Sequence, residues 1–259
     1  MLTYSKKQIV YKTPLTYLNS GIGYLYCNSR IQVIKMNNND KKMKIYLWLS
    51  IVLLSGVAAV AATININKKE DKTIISQKPG GYEPGDVVAG FKLKNINGSM
   101  VSLSDFAGSK GVIIIFTSNH CPFAKAYEDR MITLNSKYAS QGFPVIAINP
   151  SDPATHQDDS FDKMKERASS KGYGFPYLAD DTQQTAKAFG VARTPQVYIL
   201  QKSGASFTVR YTGMIDDNPQ DPAGAAKFYV DEAVSNLLAG KPVVTTITKP
   251  IGCAIKWKN

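Results

Sequence analysis

Cys121 stands in the stretch FTSNHCPFAK (116–125), where an apolar run gives way to a helix-like spacing. A cysteine does chemistry as its thiolate, and a free thiol titrating near ~8.5 must be shifted down to react well at neutral pH. Position supplies much of that shift. Pro122 suits a first helical turn, so unpaired backbone N–H groups and the positive end of the helix dipole point toward the Cys121 sulfur. His120 is adjacent and Lys125 lies one turn on; either can add positive charge, and either can equally be a solvated side chain. A dithiol pair of the Cys-x-x-Cys kind would place its second sulfur at 124, where this chain has Ala124. The motif therefore supplies an attacking sulfur without a partner of its own. The alternative is a buried structural thiol.

Two other cysteines are present, Cys27 and Cys253. Cys253 follows Pro250 and Gly252 in the closing stretch KPVVTTITKPIGCAIKWKN, where Trp257 could anchor the chain. A flexible tail could bring Cys253 to Cys121, so that a thiolate–disulfide step or a sulfenic acid–thiol condensation becomes feasible within one chain. Otherwise Cys253 pairs with nothing or with another molecule. In an oxidising compartment two cysteines can form one bridge.

The compartment is addressed by the segment from Met43. A lysine-rich approach (Lys41, Lys42, Lys44), an uncharged apolar run from Ile45 to Ala62 and the small-residue site Ala59-Val60-Ala61 form the layout of a secretory signal peptide. The run is also just long enough to remain as a membrane anchor. An exported protein, periplasmic or otherwise extracytoplasmic and tethered through residues 45–62 if the segment is kept, is the expectation. Residues 1–42, which include Cys27, are rich in Tyr, Asn and Lys and read as a doubtful leader, with translation starting at Met36 or Met43 as one account. Of the net charge of +11, +7 lies in residues 1–62; the remaining 23 Lys/Arg against 19 Asp/Glu leave +4. A folded part so mildly basic argues against a nucleic-acid partner.

The elements that must position Cys121 follow from periodicity. After a polar linker (63–84), residues 85–240 read as one α/β domain and 241–259 as an extended C-terminal tail. Ala89–Leu93 and Met100–Leu103 flank Asn97-Gly98, a tight hairpin signal. GVIIIFTS (111–118) is a β-branched run suited to a central strand buried on both faces. From Pro122 the stripe Phe123, Tyr127, Met131, Leu134, Tyr138 has helical spacing. FPVIAINP follows as a strand, 160–170 and 182–189 as helices, PQVYIL and FTVRYTG as a hairpin, and 222–239 as a last helix. Interleaved strands and helices predict a central mixed sheet covered on both faces.

The ordered stretches VSLSDFAGSKGVIIIFTSNHCPFAK, FPVIAINP, FPYLADDTQQTAKAFGVARTPQVYIL and GCAIKW resemble a thioredoxin-fold protein of the redoxin or alkyl hydroperoxide reductase/thiol-specific antioxidant superfamily. More narrowly, the chain is similar to thioredoxin-like proteins with an N-H-C-P-[FY] site and a G-C-x-I-K-W tail, over about residues 80–259. The resemblance implies that Cys121 is the attacking cysteine. It also implies that Pro195, in Thr194-Pro195, is the cis-proline that lets backbone beside the sulfur pair with an incoming extended chain. Ser118 and Cys121 meet the Ser-x-x-Cys half of the peroxidatic signature. The proline of that signature falls at Ile114, and its arginine falls near Pro195, with Arg193 close by.

The reading is a thiol oxidoreductase attacking a disulfide or a peroxide. Cys121 is the nucleophile, Ser118, His120, Pro122 and Lys125 support its thiolate, and Thr194 and Pro195 shape the groove. Cys253 is the candidate resolving thiol. A thiol/disulfide protein or a small thiol would donate electrons, and no cofactor is required. The rival readings are a thiol peroxidase and a non-catalytic binding or metal-handling module, with copper held through Cys121 and a histidine as the least supported form. Asp216, Asp217 and Asp221 read as a solvated turn rather than a cation loop, and His156 among Asp152, Asp158 and Asp159 as a polar loop.

Overall fold

A computed structural model describes residues 80–258. The doubtful leader, Cys27 and the apolar run 45–62 lie outside the described residues, among which no helix is long and apolar enough to cross a membrane.

The centre of the fold is β4 (Gly111–Phe116), every residue of which is buried. A strand covered on both faces has to be apolar at successive positions, and Val112-Ile-Ile-Ile-Phe116 is. Alternation divides its side chains between two cores. Ile113 and Ile115 pack with Val145 and Ala147 of β5 (Val145–Asn149) and with Val197 and Ile199 of β8 (Gln196–Ser203). Beneath them lie Tyr127, Met131, Leu134 and Tyr138 of α1 (Pro122–Tyr138), Met164 and Ala168 of α2 (Phe161–Lys171), and Val230 and Val234 of α4 (Tyr229–Leu238). On the opposite face Val112, Ile114 and Phe116 join Ile146, Ile148 and Phe189, the last residue of α3 (Gln184–Phe189). Each aliphatic side chain so buried contributes about 1.5–3 kcal/mol over leaving it in water.

The remaining strands are β1 (Val87–Val88), β2 (Lys92–Asn95), β3 (Met100–Ser102), β6 (Tyr177–Ala179), β7 (Arg193–Thr194), β9 (Ser206–Gly213) and β10 (Cys253–Ala254). Eight of the ten form one sheet in the order β1-β9-β8-β4-β5-β6-β2-β3; β7 and β10 pair separately. β4, β5 and β6 run parallel, and their neighbours on either side run antiparallel. The sheet is thus mixed and flanked by helices, a thioredoxin-like fold. At the active-site side, α1 is tied to α2 by a bidentate pair in which Arg167 Nε and Nη2 donate to buried Glu128 at 2.6 and 2.7 Å.

Two local expectations are corrected, and one strand is added to them. The hairpin strands are β2 and β3, shifted toward the turn, because Asn97 Oδ1 accepts from Ser99 N at 3.0 Å and Leu103 opens a 3-10 turn instead of continuing β3. The last helix begins at Tyr229 and not at 222: Asp221 caps a separate 3-10 turn over Pro222–Gly224, and Asp217 Oδ1 takes the N–H groups of Ala226 and Lys227. β6 is three residues long, too short for its alternation to stand out.

The tail is extended and docked. Thr212 at the end of β9 donates to Thr246 O and accepts from Thr248 N, both at 3.0 Å. Gly213, at φ +147°, permits this approach; a Cβ there would lie 2.0 Å from Thr248 Oγ1. The tail then crosses to β7, where β10 pairs antiparallel with Cys253 opposite Thr194 and Ala254 opposite Arg193.

Candidate active site

The end of β4 delivers Thr117, Ser118, Asn119 and His120 into a turn, and Cys121 is the N-cap residue of α1, with Pro122 in the first turn. Its carbonyl accepts from Lys125 N at 3.0 Å, so the helix begins directly at the cysteine. Its sulfur thus lies at the helix N-terminus, the position that favours a thiolate.

Cys121 and Cys253 form a disulfide with a Cα–Cα distance of 5.9 Å, an ordinary span for such a bond. The tail cysteine is therefore the partner missing from position 124. Cys121 is completely buried and Cys253 is partly exposed. Cys121 Sγ lies 3.2 Å from the Thr194 carbonyl oxygen. The Thr194–Pro195 peptide bond is cis. Ser118 Oγ and Thr194 Oγ1 are hydrogen bonded at 2.8 Å, both buried, so Ser118 ties the end of β4 to the residue preceding the cis-proline.

His120 and Lys125 are directed by carboxylates. His120 Nδ1 is hydrogen bonded to Asp159 Oδ2, and its ring stacks on His156 with centroids 3.7 Å apart and planes within 6°. Lys125 Nζ lies 4.0 Å from Asp158 Oδ2 and is more than a third exposed. Asp159 is a buried hub. Its Oδ1 accepts from Asn119 N at 2.6 Å and from Asn149 Nδ2 at 2.9 Å. Tyr177 OH in turn donates to Asn119 Oδ1 at 2.9 Å, and burial pushes that hydroxyl well above the usual tyrosine range. This network fixes the backbone on the N-terminal side of the cysteine.

The 150–159 stretch is thus not a simple polar loop. His156 stacks on the motif histidine, and Asp159 is buried because three donors converge on it. Burial, followed by the charges of His120 and Lys256, holds the His156 imidazole below its ordinary range. Asp216 is likewise no solvated turn residue. It is buried, accepts from Tyr127 OH at 2.9 Å and is paired with Arg130 at 2.5 Å, while Asp217 and Asp221 accept from backbone N–H groups. Among the described residues no group of three or more His, Cys, Asp or Glu side chains converges for a metal ion.

Two site residues escape the sequence reading. Asn149 and Tyr177 come from separate strands, and no local signal announces them. Arg193 is exposed and donates from Nη1 to Gly252 O at 2.9 Å. Trp257, the expected anchor, is exposed and lies beside Lys187, whose Nζ is 5.6 Å from its ring. Ile255 packs against the core instead.

A thioredoxin-like sheet, a cysteine at the start of its first long helix, a cis-proline beside it and a second cysteine bonded to the first together define a thioredoxin-like thiol oxidoreductase. The chain belongs to the AhpC/TSA family, whose pattern matches residues 84–219. It is similar to the thiol-disulfide oxidoreductase ResA of Oceanobacillus iheyensis, 29% identical over 178 residues that span 67% of this chain and 85% of that one. Peroxiredoxin Q, chloroplastic, of Triticum aestivum is 30% identical over 142 residues, 48% of this chain and 57% of the relative. Among solved structures, an uncharacterized conserved protein from Geobacillus kaustophilus superposes with a TM-score of 0.64 at 35% identity, covering 68% of this chain and 93% of its own. A hypothetical protein from Sinorhizobium meliloti 1021 gives 0.63 at 33%, covering 68% and 94%.

Proposed function

We propose that the protein reduces disulfides by a two-cysteine exchange in which Cys121 attacks and Cys253 resolves. The observation that carries this reading is the Cys121–Cys253 bond, with Cys253 on a strand paired to the residue before cis Pro195. In the reduced protein the Cys121 thiolate attacks one sulfur of a substrate disulfide, forms a mixed disulfide and expels the other sulfur as a thiolate. The Cys253 thiolate then attacks Cys121 Sγ, forms the intrachain disulfide and releases the second substrate thiolate. The two protons of the chain's thiols pass to the two substrate thiolates. The substrate gains two electrons and the chain loses two, which a protein dithiol or small thiols restore.

A peroxide is the second reading, and Ser118 with Cys121 and the peroxiredoxin relative support it. There Cys121 would become a sulfenic acid and condense with the Cys253 thiol, releasing water. Disulfide exchange is favoured because Arg193, the arginine nearest the cis-proline in sequence, is exposed and directs Nη1 to the Gly252 carbonyl of the tail. The lysine-flanked apolar run 45–62 supports an exported location, with or without a tether, in which such a bond persists.

Turnover of a small aromatic disulfide and of hydrogen peroxide, measured on the wild type and on Cys121→Ser and Cys253→Ser, separates the readings. Disulfide reduction lost in Cys121→Ser, with a trapped mixed disulfide in Cys253→Ser and no peroxide consumption, is the expected result. Peroxide consumption faster than disulfide reduction would establish the peroxidase instead. An unreactive Cys121 would refute both.

A further inference from the structure

Gln183 has no part in the chemistry described so far, yet it is completely buried and sits at φ 59°, in the left-handed region that residues other than glycine rarely occupy. Its backbone is held on both sides: Gln183 N donates to Asp180 O, and Gln183 O accepts from Lys187 N, both at 2.9 Å. From this fixed point the side chain reaches the tail. Nε2 donates to Lys256 O at 2.9 Å and to Pro150 O at 2.8 Å, and Oε1 accepts from Lys258 N at 2.7 Å. A side-chain amide bonded to the carbonyl of one residue and the N–H of the residue two further on acts as a strand partner would. Lys258 adds a bond from Nζ to Asp181 O at 2.8 Å.

These contacts lie three to five residues beyond Cys253. On its other side the tail is pinned at Thr246 and Thr248 by Thr212. Cys253 is therefore strung between two anchors, and its own pairing with β7 covers only two residues. With the distal anchor released, Cys253 would be held by Thr248, the short pairing with β7 and the Arg193–Gly252 bond only, would sample a larger volume, and its effective concentration at Cys121 would fall.

We propose that Gln183 is a positioning residue that clamps the tail at Lys256 and Lys258 and so holds Cys253 in register with Thr194, ready to attack a mixed disulfide at Cys121. The proposal rests on the reading that Cys253 is the resolving thiol. Two tail hydrogen bonds of ordinary net strength are together worth about a factor of ten in the equilibrium. Removing them therefore lowers the equilibrium constant for closing the Cys121–Cys253 bond about tenfold, which raises the two-electron potential by about 30 mV. Resolution of the mixed disulfide slows by a similar factor.

The test uses the full chain with Gln183→Met, a second variant ending at Ile255 in which Gln183 is intact but its tail partners are gone, and the two changes combined. Disulfide content is read by mass spectrometry in glutathione redox buffers, resolution rate by stopped-flow release of a chromophoric thiol from Cys121, and folding of the reduced proteins by circular dichroism. The expected result is a shift in the same direction in both single variants, a double shifted no further than the truncated variant, and a nearly unchanged reduced-state spectrum. If Gln183→Met fails to fold, the truncated variant decides alone. Unchanged potential and resolution rate in the truncated variant, or effects that add in the double, would overturn the clamp. A wild type that forms no Cys121–Cys253 bond under mild oxidation would overturn the resolving role of Cys253, and the clamp with it.

Discussion

Gly252 lies against the Thr194 carbonyl so closely that a Cβ placed on it would come within 2.1 Å of that oxygen and 3.1 Å of Pro195 Cδ. The residue before the tail cysteine is thus the point where the tail passes over the cis peptide, and only a hydrogen fits. Because the blocking atoms are backbone, they cannot swing aside. Gly252→Ala is expected to lift the tail from β7 and to lower the yield of the Cys121–Cys253 disulfide about tenfold or more, while the two cores on either side of the sheet stay intact. Thiol counting after mild oxidation, with a thermal melt of the reduced protein as control, checks it. Wild-type disulfide yield would contradict the steric argument.

Electron entry has a predicted address. In the closed bond Cys121 is buried and Cys253 is partly exposed, so an incoming thiolate meets the Cys253 sulfur first. Attack there expels the Cys121 thiolate at the start of α1, where the helix dipole favours negative charge. A donor protein carrying its attacking cysteine but lacking its second one should be trapped on Cys253. Peptide mapping that found the donor on Cys121 would reverse the assignment.

His156 should make the stability of the fold sensitive to acid. His156 is held below its ordinary value of 6.5, first by desolvation, then by His120 and Lys256, with Asp159 and Asp158 opposing. A histidine whose folded pKa is depressed binds fewer protons folded than unfolded near that value, so stability is full above about pH 6.5 and declines as pH falls through it. Melting temperature measured between pH 8 and pH 5 should drop less in His156→Gln than in the wild type. Parallel curves would remove His156 as a source of the pH dependence.

Asp159 joins its own turn to two segments at the cysteine: Asn119 N and His120 Nδ1 from one and Asn149 Nδ2 from the other all meet it. Hydrogen bonds to a charged group contribute about 1.5–3 kcal/mol each, less than additively when one residue holds several. Asp159→Ala should cost about 3 kcal/mol of stability by denaturant titration and slow the attack of Cys121, because the turn before it loses its anchor. Asp159→Asn should fall between the two. An Asp159→Ala protein as stable and as fast as the wild type would show that the hub is dispensable.

Much of the scaffold was legible along the chain because its signals are local. The all-apolar β4, the Pro122 helix start and the stripe through Tyr127, Met131, Leu134 and Tyr138 each depend on spacing within one segment. Helix and strand ends were less legible where a side chain decided them, as Asp217 and Asp221 did by taking the N–H groups ahead of Tyr229. Asp216 and Asp159 were misread for a related reason. A carboxylate in a loop sequence looks solvated until distant partners, Arg130 and Tyr127 in one case and Asn119 and Asn149 in the other, are brought around it.

The sequence alone determined that a cysteine would stand at a helix start at the end of a buried strand, because apolar runs, proline and helical spacing act over a few residues. It also narrowed the second sulfur to Cys253 or an outside thiol. Only the tertiary structure decided between them, since Cys121 and Cys253 are 132 residues apart. Their meeting depends on long-range facts that no local pattern encodes: the edge of β7 left free for β10, the missing Cβ of Gly252, and the buried amide of Gln183 that receives the end of the tail.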